Sequence, residues 1–162
     1  MHSKSKVCFF FQNINVNLRN RIYLKKYINS IFNKEGRKLD SINYIFCSDK
    51  ALLEMNRKFL KHDFFTDIIT FDLTDSKAVN AEIYISVDRV RENARNLGVS
   101  FKFELHRVVF HGVLHLCGYN DKNKAEKKKI REKEDFYLKK YNFPLSSSTD
   151  FQTSVPTPSP IY

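Results

Sequence analysis

Apolar positions along the chain change their period from one segment to the next, and each change marks an element. Val7 to Ile14 is aromatic and β-branched, which is strand composition. Leu18, Ile22, Leu24, Ile28, Ile31 and Phe32 then recur at near-helical spacing, so Arg19 to Glu35 reads as an amphipathic helix closed by Gly36. Ser41 to Cys47 carries Ile42, Tyr44 and Phe46 on one face with Ile45 and Cys47 on the other, a strand buried on both sides. Asp49, after Ser48, is a cap for a short helix reaching about Phe59. Asp67 to Leu73 and Glu82 to Val87 are β-rich and flank a polar turn from Thr74 to Asn80.

Asp88 is placed to cap a further helix ending at Gly98, and Ser100 to begin another that runs through Leu105, Val108, Val109, Val113 and Leu116 to Gly118. Lys122 to Lys140 is densely charged with both signs, with Ile130, Tyr137 and Tyr141 as sparse apolar positions. It reads as an exposed helix lying on the rest of the domain. Ser146 to Tyr162, with a run of Ser and Pro156, Pro158 and Pro160, lacks the apolar content to fold and reads as a flexible tail. Strands and helices intermix over residues 1–145, so the expected architecture is a single α+β (or α/β) domain with a mixed sheet.

Composition narrows the function. Of 162 residues 42% are apolar, with 15 Phe and 8 Tyr, enough to build a core without disulfides. Lys plus Arg exceed Asp plus Glu by 28 to 18, a net charge of +10 that favours polyanionic partners, RNA or DNA before an anionic membrane. The 3 cysteines, Cys8, Cys47 and Cys117, are widely spaced and make neither a CxxC pair nor a disulfide framework. The apolar run Val7 to Phe11 is too short for a signal-peptide core or a spanning helix. A reducing, cytoplasmic setting is the expectation.

The chemistry concentrates between His111 and Asp121. His111 and His115 lie four residues apart, so on a helix both imidazoles project from one face at adjacent turns. Gly118 then ends the helix and lets the chain turn Asp121 back toward the same point. Two His and one carboxylate leave a fourth position for water, the arrangement of a catalytic rather than a structural zinc site. Zinc there lowers the pKa of its water to roughly 7 and supplies a nucleophile at neutral pH. The alternative is a pair of ordinary helix histidines beside an unrelated Asp. A zincin protease is disfavoured, because HExxH needs a Glu where this chain has Gly112. Glu104, on the same helical face as His111, is a candidate to orient a ligand or carry a proton, or is simply an acidic residue in a first turn. His106 falls off that face and reads as a packing or surface residue, His62 as a solvated loop residue, and Cys117 as a small core residue.

The stretch HGVLHLCGYND resembles the HGxLHLxGYDH signature of the YbeY family of bacterial endoribonucleases, the rRNA maturation factors. Met55-Asn56-Arg57, with Thr66-Asp67-Ile68-Ile69-Thr70-Phe71, is similar to the family's LNxxYRxxDxPTDVLSF, and Ala81-Glu82-Ile83-Tyr84-Ile85-Ser86 to its GDIxIS. The resemblance implies a mixed four-stranded sheet with about five helices. It also implies one zinc per chain, held by three signature residues, and single-strand-specific RNA cleavage in 16S rRNA 3′-end maturation. The implied partners are rRNA and the small ribosomal subunit, with neither a membrane nor DNA. His111 and His115 match the first two ligands; the third ligand of the family is His, and here the position holds Asp121, a harder donor that broadens metal preference toward Mn²⁺. The family's Arg falls at Leu60, leaving Arg57 and Lys61 as the candidate RNA contacts. The loss of that Arg lends weight to an alternative, a non-catalytic RNA-binding ribosome-assembly factor stabilised by zinc.

Overall fold

A computed structural model describes residues 6–141; the tail expected over 146–162 lies outside the described residues. The elements in chain order are β1 (Val7–Phe11), α1 (Arg21–Lys34), β2 (Lys38–Cys47), α2 (Asp49–Leu60), β3 (Ile68–Asp72), β4 (Ala78–Ser86), α3 (Val87–Leu97), α4 (Phe101–Leu116) and α5 (Lys124–Lys140). The strands form one sheet in the order β1-β2-β4-β3. β1 and β4 run parallel to β2, and β3 runs antiparallel to β4, so the sheet is mixed. The fold is α+β, with five helices and a four-stranded sheet in one domain. No helix among the described residues is long and apolar enough to cross a membrane.

Alternation decides which side chains meet which layer. Ile42, Tyr44, Phe46, Ile83 and Ile85 join the large core that α1 and α4 close, and the Tyr44 hydroxyl donates to the Val109 carbonyl oxygen at 3.1 Å. The intervening Cys47, Ile69 and Tyr84 face the other way, onto Leu52 and Met55 of α2. A fully buried Phe46 or Ile83 contributes about 2–3 kcal/mol by leaving water.

α4 is the interior helix: 11 of its 16 residues are buried, so its polar groups must be satisfied inside the protein. Its approach to the sheet is set by Gly112. A Cβ there would stand 2.7 Å from Ile83 Cδ1 and 3.1 Å from Ile68 Cδ1. Helix propensity would favour Ala by about 1 kcal/mol, so it is packing that keeps this position small.

The ends of the elements depart from expectation in two ways. Ser48 and Ser86, not Asp49 and Asp88, cap α2 and α3: the Ser48 hydroxyl accepts the Ala51 N–H at 3.2 Å, and Ser86 the Arg89 N–H at 3.1 Å. Asp49 sits one residue inside its helix and Asp88 two, and they bridge the helices instead. Asp49 accepts from Arg89 at 2.6 Å and from the Ser86 hydroxyl, and Asp88 accepts the Asp49 N–H at 2.9 Å. β2 and β4 also begin earlier than their apolar runs, because Lys38–Ala78 and Leu39–Val79 pair across the ladder.

His106 is buried, its Nδ1 2.7 Å from the Lys102 carbonyl oxygen and its ring 5.1 Å from that of Tyr141. Burial lowers its pKa to about 4, outweighing the Lys102 carbonyl. Above pH 6.5 the group is neutral in both states and its full contribution is present. Between 6.5 and 4 the unfolded chain takes up a proton that the folded chain refuses, so stability falls with pH, by about 3 kcal/mol in all. His106→Gln should therefore flatten the melting temperature against pH across that window; a profile as steep as wild type would contradict this account.

Candidate metal centre

The two histidines stand where α4 leaves the core. Six residues after the second, the chain returns because Gly118 (φ 97°) turns it in a region that side chains avoid. Asp121 then faces both rings, its Oδ2 3.7 Å from His111 Nε2 and 3.6 Å from His115 Nε2, while the two Nε2 atoms are 2.7 Å apart. The side chains of the three residues are 5%, 2% and 5% exposed, so water does not screen the cluster. Among the described residues this is the group whose ligand atoms gather closely enough for a metal, all within 4.8 Å of one another.

The far side of each ring decides what the near side can do. His111 Nδ1 lies 2.5 Å from Glu134 Oε1, and His115 Nδ1 2.7 Å from the Tyr119 carbonyl oxygen. A carboxylate and a carbonyl only accept, so each histidine places its proton on Nδ1 and turns a lone pair outward on Nε2. Two lone pairs at 2.7 Å repel, and the carboxylate oxygen beside them, Asp121 Oδ2, is buried without a hydrogen-bond partner. A cation shared by all three resolves the conflict. Two imidazoles and one carboxylate are a donor set that could hold a metal ion. Burial lowers the His115 pKa, and nearby His111 lowers it further, against the opposing pull of Asp121; the neutral, ligating form is favoured.

Behind His111 lies an ionic network. Arg107 donates to both oxygens of Glu104, at 2.8 and 2.6 Å, and to Glu134 Oε2 at 3.2 Å. Glu104 is thus paired with Arg107 rather than with the ring nitrogens, and it reaches the centre only through Arg107 and Glu134. The Glu134 carboxyl, which burial would raise, is held at about 2 by the charge of Arg107, then by His111, which donates its Nδ1–H, and by Arg131. Arg107 in turn is raised above its ordinary value by Glu134 and Glu104 despite its burial.

The turn that carries the Tyr119 carbonyl is anchored separately. Tyr119 and Tyr137 both donate their hydroxyls to Glu35, the first at 2.7 Å, and the Lys133 ammonium joins them at 2.9 Å.

The remaining candidates lie elsewhere. Arg57, exposed on α2, pairs with Asp63, and Lys61 closes α2 in the left-handed region (φ 54°). Their helix covers the sheet face opposite α4. Leu60, at the position of the family's Arg, packs on the small cluster of Cys47, Leu52 and Ile69.

Glu134 escaped the sequence analysis, which placed α5 on the surface as a solvated helix. A signal was present: Glu134 falls on the stripe Ile130, Glu134, Tyr137, Leu138, and all four are buried. A carboxylate on an apolar stripe needs a partner inside.

Known proteins align with most of this sequence. A family model described as Endoribonuclease YbeY matches residues 11–142. The chain is 47% identical over 137 residues to the endoribonuclease YbeY of Cytophaga hutchinsonii, covering 83% of this chain and 96% of that protein. It is 40% identical over 131 residues to the one from Porphyromonas gingivalis, covering 81% and 87%. Among solved structures, the solution structure of a Thermotoga maritima protein aligns with a TM-score of 0.58 and 31% identity over 81% of this chain and 87% of that one.

Proposed function

The chain belongs to the YbeY endoribonuclease family, and on that premise we propose that it is a zinc-dependent, single-strand-specific endoribonuclease. We place it in 16S rRNA 3′-end maturation and ribosome biogenesis in the cytoplasm, with rRNA and the small ribosomal subunit as its partners. The observation that carries the metal dependence is the pair of Nε2 lone pairs at 2.7 Å beside the unpartnered Asp121 oxygen.

His111, His115 and Asp121 would hold the ion. Bound zinc supplies an activated water or a Lewis acid for a phosphoryl oxygen. The protein's own work is to keep the ligands ready. Glu134 and the Tyr119 carbonyl hold both imidazoles in the Nδ1–H form, Gly118 aims Asp121, and burial keeps His115 neutral. The chain's net charge of +10 draws the RNA backbone in.

A second reading, a zinc-stabilised RNA-binding assembly factor without cleavage, is favoured by one observation: Leu60 packs on an apolar cluster at the family's Arg position. Elemental mass spectrometry on protein purified without a metal-affinity tag should find about one zinc per chain, and chelation should abolish cleavage of single-stranded RNA. RNA binding with no cleavage by the metal-loaded protein would select the second reading. A protein that stays metal-free after zinc is offered would refute the metal site.

A further inference from the structure

We propose that the loop between α2 and β3 is a base-stacking platform for unpaired RNA bases, an inference that rests on the endoribonuclease reading. Eight large apolar side chains among the described residues are exposed, and three of them, Phe59, Phe64 and Phe65, fall within seven positions of chain. Phe59 is 56% exposed, Phe64 44% and Phe65 51%. Isolated exposed apolar residues are ordinary; a run of bare phenyl rings marks a contact surface.

The last turn of α2 carries Phe59, and the loop is built to present Phe64 and Phe65. Asn56, fully buried, donates from Nδ2 to the Phe64 carbonyl oxygen at 2.8 Å and accepts the His62 N–H on its own carbonyl at 3.2 Å. Arg57 clasps Asp63, and the Thr66 hydroxyl donates to the Ile68 carbonyl oxygen at 3.3 Å. With its backbone bonded on both sides, the loop holds Phe64 and Phe65 outward at little further entropic cost on binding.

The chemistry around the rings matches a nucleic acid better than an apolar protein surface. The His62 ring stacks on Phe64 at 5.1 Å and 22°. The Arg89 guanidinium lies 4.8 Å over the Phe65 ring, and the Lys58 ammonium 5.2 Å over Phe59. Flat π-faces interleaved with cations take a base and its phosphate together, whatever the base. Such a surface selects single strands, since in a duplex the faces are already stacked.

The loop continues into β3, whose first residue packs against the helix that carries the two histidines. Ile68, the first residue of β3, reaches within 3.1 Å of the place a Cβ on Gly112 would take, beside His111.

The test uses the full-length metal-loaded protein and fluorescence anisotropy. The probes are a 2′-O-methyl oligouridine of about twelve nucleotides and an abasic strand of the same length and charge, each checked for integrity after binding. Wild type should bind oligouridine far more tightly than the abasic strand. Phe64→Ala and Phe65→Ala should each cost about tenfold on oligouridine and nothing on the abasic strand, while Phe65→Tyr, which keeps a ring, should restore binding. Lys58→Gln with Lys61→Gln should weaken both probes and flatten the salt dependence. Equal binding of oligouridine by wild type and the alanine variants overturns the platform, and so assigns these rings to a protein contact. If wild type still cleaves RNA in that case, the endoribonuclease reading stands; if wild type neither binds nor cleaves RNA, both fall. Melting curves for each variant separate lost binding from lost folding.

Discussion

His115→Ala should release the metal and end cleavage. Structural zinc sites are worth roughly 10–16 kcal/mol over four ligands, so deleting one ligand removes about 3–4 kcal/mol, several hundredfold to a thousandfold in affinity. At micromolar protein the zinc content should fall from about one per chain toward zero, and RNA cleavage with it. Folding should survive, since the His115 side chain packs at the exit of α4 rather than among the core residues. The loss of a ring whose Nδ1 meets the Tyr119 carbonyl frees that turn without opening the core. Retention of one zinc by His115→Ala would place the ion elsewhere. Asp121 provides the graded comparison: Asp121→Ala should lower zinc content less completely, and Asp121→His, which restores the family's donor, should tighten zinc and disfavour Mn²⁺.

The main features of α4 were legible from local rules. Ser100, the spacing of Val108, Val109 and Val113, and Gly118 define the helix, and the four-residue step between the histidines puts both rings on one face. The return of Asp121 to those rings was also readable, because a glycine in the left-handed region reverses the chain. Capping was misplaced, by one residue at Asp49 and by two at Asp88, for a physical reason. In Ser48-Asp49, and again across Ser86 to Asp88, each side chain is a competent acceptor, and only the tertiary pairing of Asp49 with Arg89 shows which is free to cap. Helical geometry offers Glu104 two roles, a residue that orients a ligand or carries a proton and a plain first-turn acid. Its neighbour Arg107, one turn on, captures it first. Glu134 needed long-range knowledge, since its partners lie 27 and 23 positions earlier in the chain.

Glu134→Gln should weaken zinc binding by about 10- to 100-fold while leaving the stoichiometry at saturating zinc near one. A carboxylate on Nδ1–H raises the basicity of Nε2 and fixes the ring plane; a neutral amide of the same shape keeps the packing and loses the charge. Arg107 retains both bonds to Glu104, so the Gln variant does not strand a buried cation. Glu134→Ala goes further. It leaves His111 Nδ1 without its acceptor and Arg107 with one partner fewer in a site 2% exposed, costing roughly 3–5 kcal/mol of stability. Chelator competition for zinc affinity and melting temperature on metal-free protein separate the two effects. Gln should change the first and spare most of the second, and Ala should change both. Because the Glu134 carboxyl is held at about 2 in the folded chain, its contribution to stability is complete above the ordinary carboxylate range. It is lost as pH falls from about 4.5 toward 2, a window below that of His106. A Gln variant with wild-type zinc affinity would show that the imidazole keeps its orientation without Glu134, and α5 would then be only a cover over the end of α4.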